Sequence, residues 1–235
     1  MHILVIDGTH VEAEFRAKFG PAHEYTFLNP DRALEESWQQ VDQQMQDAAL
    51  VADVAFCFHP RTSQVASSFG NDKLPIFEEI VHLSLTEMLS YEVGLRAGLR
   101  FGFCGLPTLL NRSLLEVSLC HEADRGKLAE ICAALGTDYR VVADRVGLVT
   151  PRVICQIINE ACFTVQEGTA TMQDVDFGMK LGTNYPHGPF AWANAIGVAR
   201  VYAVLEAMWD DTHDERYKIC PLLKRQALRG GPFAV

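Results

Sequence analysis

The sequence predicts an α/β layered domain followed by an all-α region. Three observations predict it. Up to residue 145, short apolar runs alternate with amphipathic stretches. Beyond that point the apolar positions lengthen into helical spacing with clear starts and stops. The chain also opens on HILVIDG, a buried run leading into a glycine turn, which is how a dinucleotide-binding domain begins.

Taken in order, HILVI (2–6) reads as a first strand and VEAEFRAKFG as a charged amphipathic helix. EYTFL (24–28) reads as a second strand and ALEESWQQVDQQMQDAALV as a helix with a polar face. VADVAFCF (51–58), EEIVHL (78–83) and LRFGFCG (99–105) are the third, fourth and fifth strands. LLEVSL (114–119) and YRVVA (139–143) bracket a helix at 124–135. Thr150-Pro151 places a capping hydroxyl before a proline at the first helical position, and Gly168 ends the helix begun there. Thr171 and Asp174 have the spacing of a capping box for a short helix that stops at Gly182. After NYPHGP, FAWANAIGVARVYAVLEAMW reads as one long helix, too apolar to be exposed.

With 235 residues, 49% of them hydrophobic and 21% charged, the chain is long enough to bury a core and too apolar for general disorder. The formal net charge of −10 opposes the phosphate neutralisation that nucleic-acid binding requires. A phosphorylated small molecule stays open, because a few local cations or backbone amides can hold one. No uncharged apolar run approaches the roughly 18 residues of a membrane span, and the N-terminus shows no secretory pattern. The seven cysteines form no CxxC pair, so buried thiols in a reducing cytoplasm are expected. Asp210, Asp211, His213, Asp214 and Glu215 lack ligand spacing and read as a solvated helix end, so no metal is expected.

One ordered set of motifs is more specific than any of these. Asn159-Glu160-Ala161, Glu167-Gly168, Asp174 and Asp176, Met179 to Gly182 (MKLG) and Tyr185 to Phe190 (YPHGPF) succeed one another within residues 144–217. That stretch resembles the C-terminal domain of the 3-hydroxyacyl-CoA dehydrogenases. In the first half, HILVID, ADVAFCF, HLSLTEM and LLEVSL resemble, in the same order, the family's first strand, ADLVVEA, SLSITEI and LVEV. The resemblance implies a truncated Rossmann-like domain over 1–144, followed by a helical dimerisation domain over 145–235. It implies NAD in the first domain, an acyl-CoA ligand and a homodimer through the C-terminal helices. In the family a histidine held by a glutamate is the general base.

The residues of this chain depart from that pattern. Gly8 can serve as the first glycine of a dinucleotide fingerprint, but His10 and Ala13 stand where the other two belong. Asn29 replaces the acidic residue that holds the adenosine ribose. Depending on where a one-residue gap falls, Phe103 or Cys104 takes the place of the catalytic histidine, while Glu116 matches its glutamate partner. Pro151 replaces an asparagine, and Glu79 to His82 replace the NTSS loop. His82 is the candidate for a relocated base at a strand end, and His121 a weaker one. The ending RGGPFAV reads as the family's terminus without its aromatic anchor. The expected function is that of a 3-hydroxyacyl-CoA dehydrogenase-like protein with NAD-dependent chemistry lost or impaired, still able to hold an acyl-CoA. The alternatives are an active NAD-dependent enzyme with a relocated base, and a non-catalytic dimeric partner-binding protein.

Overall fold

HILVI forms β1 (His2–Ile6) with side chains buried on both faces, Ile3 and Val5 in one apolar cluster and Leu4 and Ile6 in another. A strand covered on both faces must read as an unbroken apolar run, and this one does. The computed structural model describes residues 1–29, 38–58, 74–90 and 98–235, with side chains of the second helix described from residue 43. These residues form two compact units, Met1–Leu148 and Val149–Val235.

In the first unit β1 joins β2 (Glu24–Leu28), β3 (Val54–Cys57), β4 (Ile76–Glu79), β5 (Arg100–Phe103), β6 (Leu114–Leu119) and β7 (Asp138–Val141). The order is β2-β1-β3-β4-β5-β6-β7, parallel throughout except for the antiparallel β5–β6 pair. Helices α1 (Glu12–Phe19) and α4 (Arg125–Leu135) cover one face, sending Phe15, Phe19, Leu128 and Leu135 onto Phe56, Phe77, Phe101 and Phe103. Phe56 stacks on Phe77 at 4.7 Å, and Phe77 meets Phe101 at 5.0 Å, so in-register rings bridge three adjacent strands. On the other face Met45 and Ala49 of α2 (Trp38–Val51) pack over Leu4, Ile6, Ala55 and Cys57. The start of the expected polar-faced helix, residues 33–37, lies outside the described residues.

The fourth strand is displaced from its expected place. It spans Ile76–Glu79 rather than 78–83. Ile80 and Val81 are fully buried, but as loop residues leading to α3 (Leu85–Ser90). An apolar run marks burial before it marks extended structure. On the same strand, the carboxylate of Glu78 pairs with the Arg100 guanidinium of β5, both deep in the unit.

The second unit consists of α5 (Thr150–Gln166), α6 (Met172–Thr183), α7 (Pro189–Ile196), α8 (Val198–Thr212) and α9 (Pro221–Arg229) among the described residues. Thr150 is the first helical residue of α5 rather than its cap, and Val149 takes the cap position. Gly168 ends α5 with a positive φ of 77°, the N–H of Gly168 bonding Val165 O and that of Thr169 bonding Thr164 O. This is the paired closure that a left-handed residue allows. The Thr171–Asp174 capping box forms in both directions, and α6 runs on to Thr183, with Asn184 in the left-handed region. The expected single long helix is two: Gly197, at φ 102° and ψ 117°, breaks it between α7 and α8. Only glycine takes that backbone without strain. No described helix is long and apolar enough to cross a membrane.

Candidate functional site

The strand order reverses between β1 and β3, since β2 lies on one side of β1 and β3 on the other. Ligands of open α/β sheets bind outside the carboxyl ends of strands at such a reversal. Here β1 ends at Ile6, and Asp7 takes a left-handed φ of 57° while its N–H bonds Leu28 O at 2.9 Å. Gly8 has an ordinary φ of −94°, so its need is space and not backbone freedom. A Cβ there would lie 2.4 Å from Val5 Cγ1 and 2.9 Å from two ring carbons of Phe58. The chain then makes a 3₁₀ turn, Thr9–Val11, in which the Val11 N–H bonds Gly8 O at 3.1 Å. His10 turns back to bond Asp7 O through Nδ1 at 3.1 Å.

Phe58 continues β3 beyond its end, with its N–H on Ile6 O at 3.0 Å. Its ring is 6% exposed and reaches across to the far strands as well. A Cβ on Gly105, just past β5, would lie 2.5 Å from Phe58 Cε1 and 3.0 Å from Glu79 Oε1. The His10 ring meets Phe58 edge-on at 5.6 Å, and Phe103 does so at 5.3 Å. The direction a side chain at Gly8 would take is therefore filled by Val5 and the Phe58 ring, with the His10 imidazole packed against that ring. With His10 turned back onto Asp7 O where a second glycine would let backbone approach the diphosphate, the residues present do not fit NAD.

The remaining sequence-derived site residues fall around this edge of the first unit. Asn29 directly follows β2 and is partly buried. His82 lies three residues past β4, in the bend before α3, and not at the strand end expected of it. That bend is pinned by Asp144, whose carboxylate accepts from the N–H groups of Leu85 and Thr86 at 2.7 and 2.8 Å. Glu116 sits buried on β6 with Arg112 Nη2 at 3.7 Å from Oε1. Cys104 follows β5, and burial pushes its thiol up to about 12, with the Glu116 and Glu79 carboxylates adding to the rise. It stays protonated near neutral pH and is no nucleophile there. His121 is exposed at the start of a 3₁₀ turn, Glu122–Asp124. Sequence reasoning missed Phe58. The signal was present, because ADVAFCF ends on a phenylalanine where the family's ADLVVEA ends on alanine.

In the second unit the motif residues are used as joints. Asp176 of α6 accepts from the N–H groups of Phe190 and Ala191 at 2.7 and 2.8 Å, capping α7 from outside. Gly188 has no side chain to cap with, and Pro189 brings no N–H. A Cβ on Gly188 would meet the Asp176 Cα at 2.5 Å. DxD and YPHGPF are thus two halves of one contact, of the kind that stabilises a helix end by about 1–2 kcal/mol. Asn159 is buried and bridges the chain before α9, donating to Lys218 O at 2.9 Å and accepting from Cys220 N at 2.8 Å. Asn194 does the same for the C-terminal tail, with Phe233 O and N at 3.0 and 2.7 Å. Phe233 is buried against Phe190 at 5.0 Å, so the tail has the aromatic anchor its sequence appeared to lack.

Residues 147–231 match the family model described as 3-hydroxyacyl-CoA dehydrogenase, C-terminal domain. Over these residues the chain is similar to a 3-hydroxyacyl-CoA dehydrogenase C-terminal domain. A stretch of 87 residues is 42% identical to 3-hydroxyadipyl-CoA dehydrogenase of Escherichia coli K12, covering 37% of this chain and 18% of that protein. Another of 89 residues is 39% identical to a probable 3-hydroxybutyryl-CoA dehydrogenase of Bacillus subtilis 168, covering 38% of this chain and 31% of that protein. These matches span under a third of either relative's length. Over 97% of the chain the fold is similar to (S)-3-hydroxybutyryl-CoA dehydrogenase of Ralstonia eutropha, covering 93% of that chain with a TM-score of 0.71 and 18% identity. It is similar to FadB2 of M. tuberculosis over the same shares, with a TM-score of 0.73 and 16% identity. In chain order, a Rossmann-like α/β unit is thus followed by a helical unit similar to the dehydrogenase C-terminal domain.

Proposed function

We propose that the chain is a 3-hydroxyacyl-CoA dehydrogenase-like protein of acyl-CoA metabolism that has lost NAD-dependent hydride transfer and still takes an acyl-CoA. The observation that carries this reading is His10 at the turn after β1, its ring tethered to Asp7 O and packed on Phe58 where a second glycine would stand. It is supported by the Val11 N–H, which closes onto Gly8 O within the chain. In a working fingerprint the second glycine lets backbone approach the diphosphate at the helix N-terminus, and His10 stands at that place here. Glu116, facing Arg112, acts as an anchor for the preceding loop in this reading.

Calorimetry on the purified chain tests this. NADH is expected to give no saturable heat, and acetoacetyl-CoA to give it. Saturable NADH binding would overturn the reading. Turnover of acetoacetyl-CoA with NADH, abolished by His82→Ala, would replace it with the active enzyme in which His82 is base and Glu116 its partner.

We further propose that the chain is a homodimer through its C-terminal helices. The support is α6, a helix with no buried residue although Phe177 and Leu181 share one side of it, 68% and 67% exposed. An isolated apolar pair at i and i+4 on a helix with nothing buried points to a covering partner. Sedimentation equilibrium should give a dimer, and Phe177→Asp with Leu181→Asp a folded monomer. A monomeric parent would remove the proposal.

A further inference from the structure

One cavity apart from the strand reversal lies between α1, α4 and the loop before β6. It has a volume of about 490 Å³ and is lined by Lys18, Asn111, Arg112, Ser113, Thr137 and Asp138 among others. None of Gly8, Phe58 or Gly105 borders it, so a ligand held there is independent of the proposed function. We propose that this cavity binds a small phosphate monoester, with Lys18 and Arg112 as its two cationic contacts.

Two cations line one cavity in a chain whose net charge is −10. Burial and then the Arg112 charge hold the Lys18 ammonium below its ordinary value. Both causes are reversed by an anion placed between the two groups, because it supplies countercharge where water has been removed. Lys18 is already positioned: its Nζ donates to the backbone carbonyl of Arg112, and an ammonium has two further donors. Arg112 is oriented as well, with Nε on Leu109 O at 2.9 Å. Its Nη2 lies 3.7 Å from Glu116 Oε1, and the guanidinium carries five donors in all. Asn111 and Ser113 add polar groups to the wall. Two groups oppose the anion. Asp138 borders the cavity and its carboxylate attracts Lys18, and Glu116 competes for Arg112. The volume lies in the range of small-molecule sites and exceeds the needs of a bare phosphate ion, which favours an ester carrying a few carbons.

The test is calorimetric titration of the full chain with glycerol 3-phosphate and, separately, inorganic phosphate, at constant ionic strength. Glycerol 3-phosphate should bind saturably and more tightly than inorganic phosphate. Lys18→Met should weaken it by about tenfold, the effect of one lost charge-assisted contact, while Lys18→Arg retains binding. Unchanged far-UV circular dichroism of both variants confirms that they fold. No saturable binding, or equal binding by Lys18→Met, would overturn the site. Inorganic phosphate binding as tightly as the ester would overturn the assignment to a monoester.

Discussion

Arg100→Met is expected to destabilise the first unit by about 3–5 kcal/mol, because it leaves a buried carboxylate without its countercharge. Glu78 is 1% exposed and Arg100 7%, on adjacent parallel strands whose neighbouring side chains Ile76, Phe77, Phe101 and Phe103 are apolar or aromatic. Their attraction does no more than offset the cost of taking both ions out of water, so the pair as a whole contributes little. Removing one member is costly for the same reason. The double variant Arg100→Met with Glu78→Leu should therefore recover most of the loss, apolar volume replacing paired charge. Hydrogen exchange at the β4 and β5 amides is the suitable readout, since it reports the first unit separately from the helical one. Losses that simply add in the double variant would show that the two groups are not coupled.

The elements whose sequence signal is local were legible. β1, β2 and β6 match their apolar runs residue for residue. Gly168 and the Thr171–Asp174 box mark their helix ends through contacts within six residues. The failures share a cause, which is that the deciding partner is distant or the deciding angle is a single residue's. Ile80 and Val81 look like strand because burial and extension have the same composition. Gly197 breaks a helix whose apolar spacing continues across the break, and only its φ reveals this. Asp176 is a cap for a helix fourteen residues further on, and its place in the motif set marks it without showing that partner. Phe233 and Asn194 meet across thirty-nine residues. The same holds for the candidate site. Missing glycines were readable in THVEAEF, but what stands in their place was not, because an aromatic residue at a strand end reads as core. Glu116 was found by resemblance, and Arg112 beside it was not, since its loop has no periodicity to place it.

Phe58→Ala tests structure and function together. Truncating this buried ring removes contacts with Phe103, Phe15 and His10, and a loss of about 3–5 kcal/mol is expected in the first unit. The amides of β1 and β3 should show it most, because Phe58 joins those two strands at their carboxyl ends. The vacated space lies among Phe15, Phe103 and Gly8, and NADH is still expected not to bind. The Val11 N–H stays bonded to Gly8 O, and the His10 ring stays tethered to Asp7 O. Opening a cavity does not supply the aligned donors that hold a diphosphate at a helix N-terminus. The turn is thus the obstacle that the variant leaves in place. Should Phe58→Ala gain saturable NADH binding, the ring alone excludes the cofactor, and the turn after β1 is a working phosphate loop under a lid. Should it lose stability and gain nothing, the turn itself has lost the function, and Phe58 fills a space that no ligand requires.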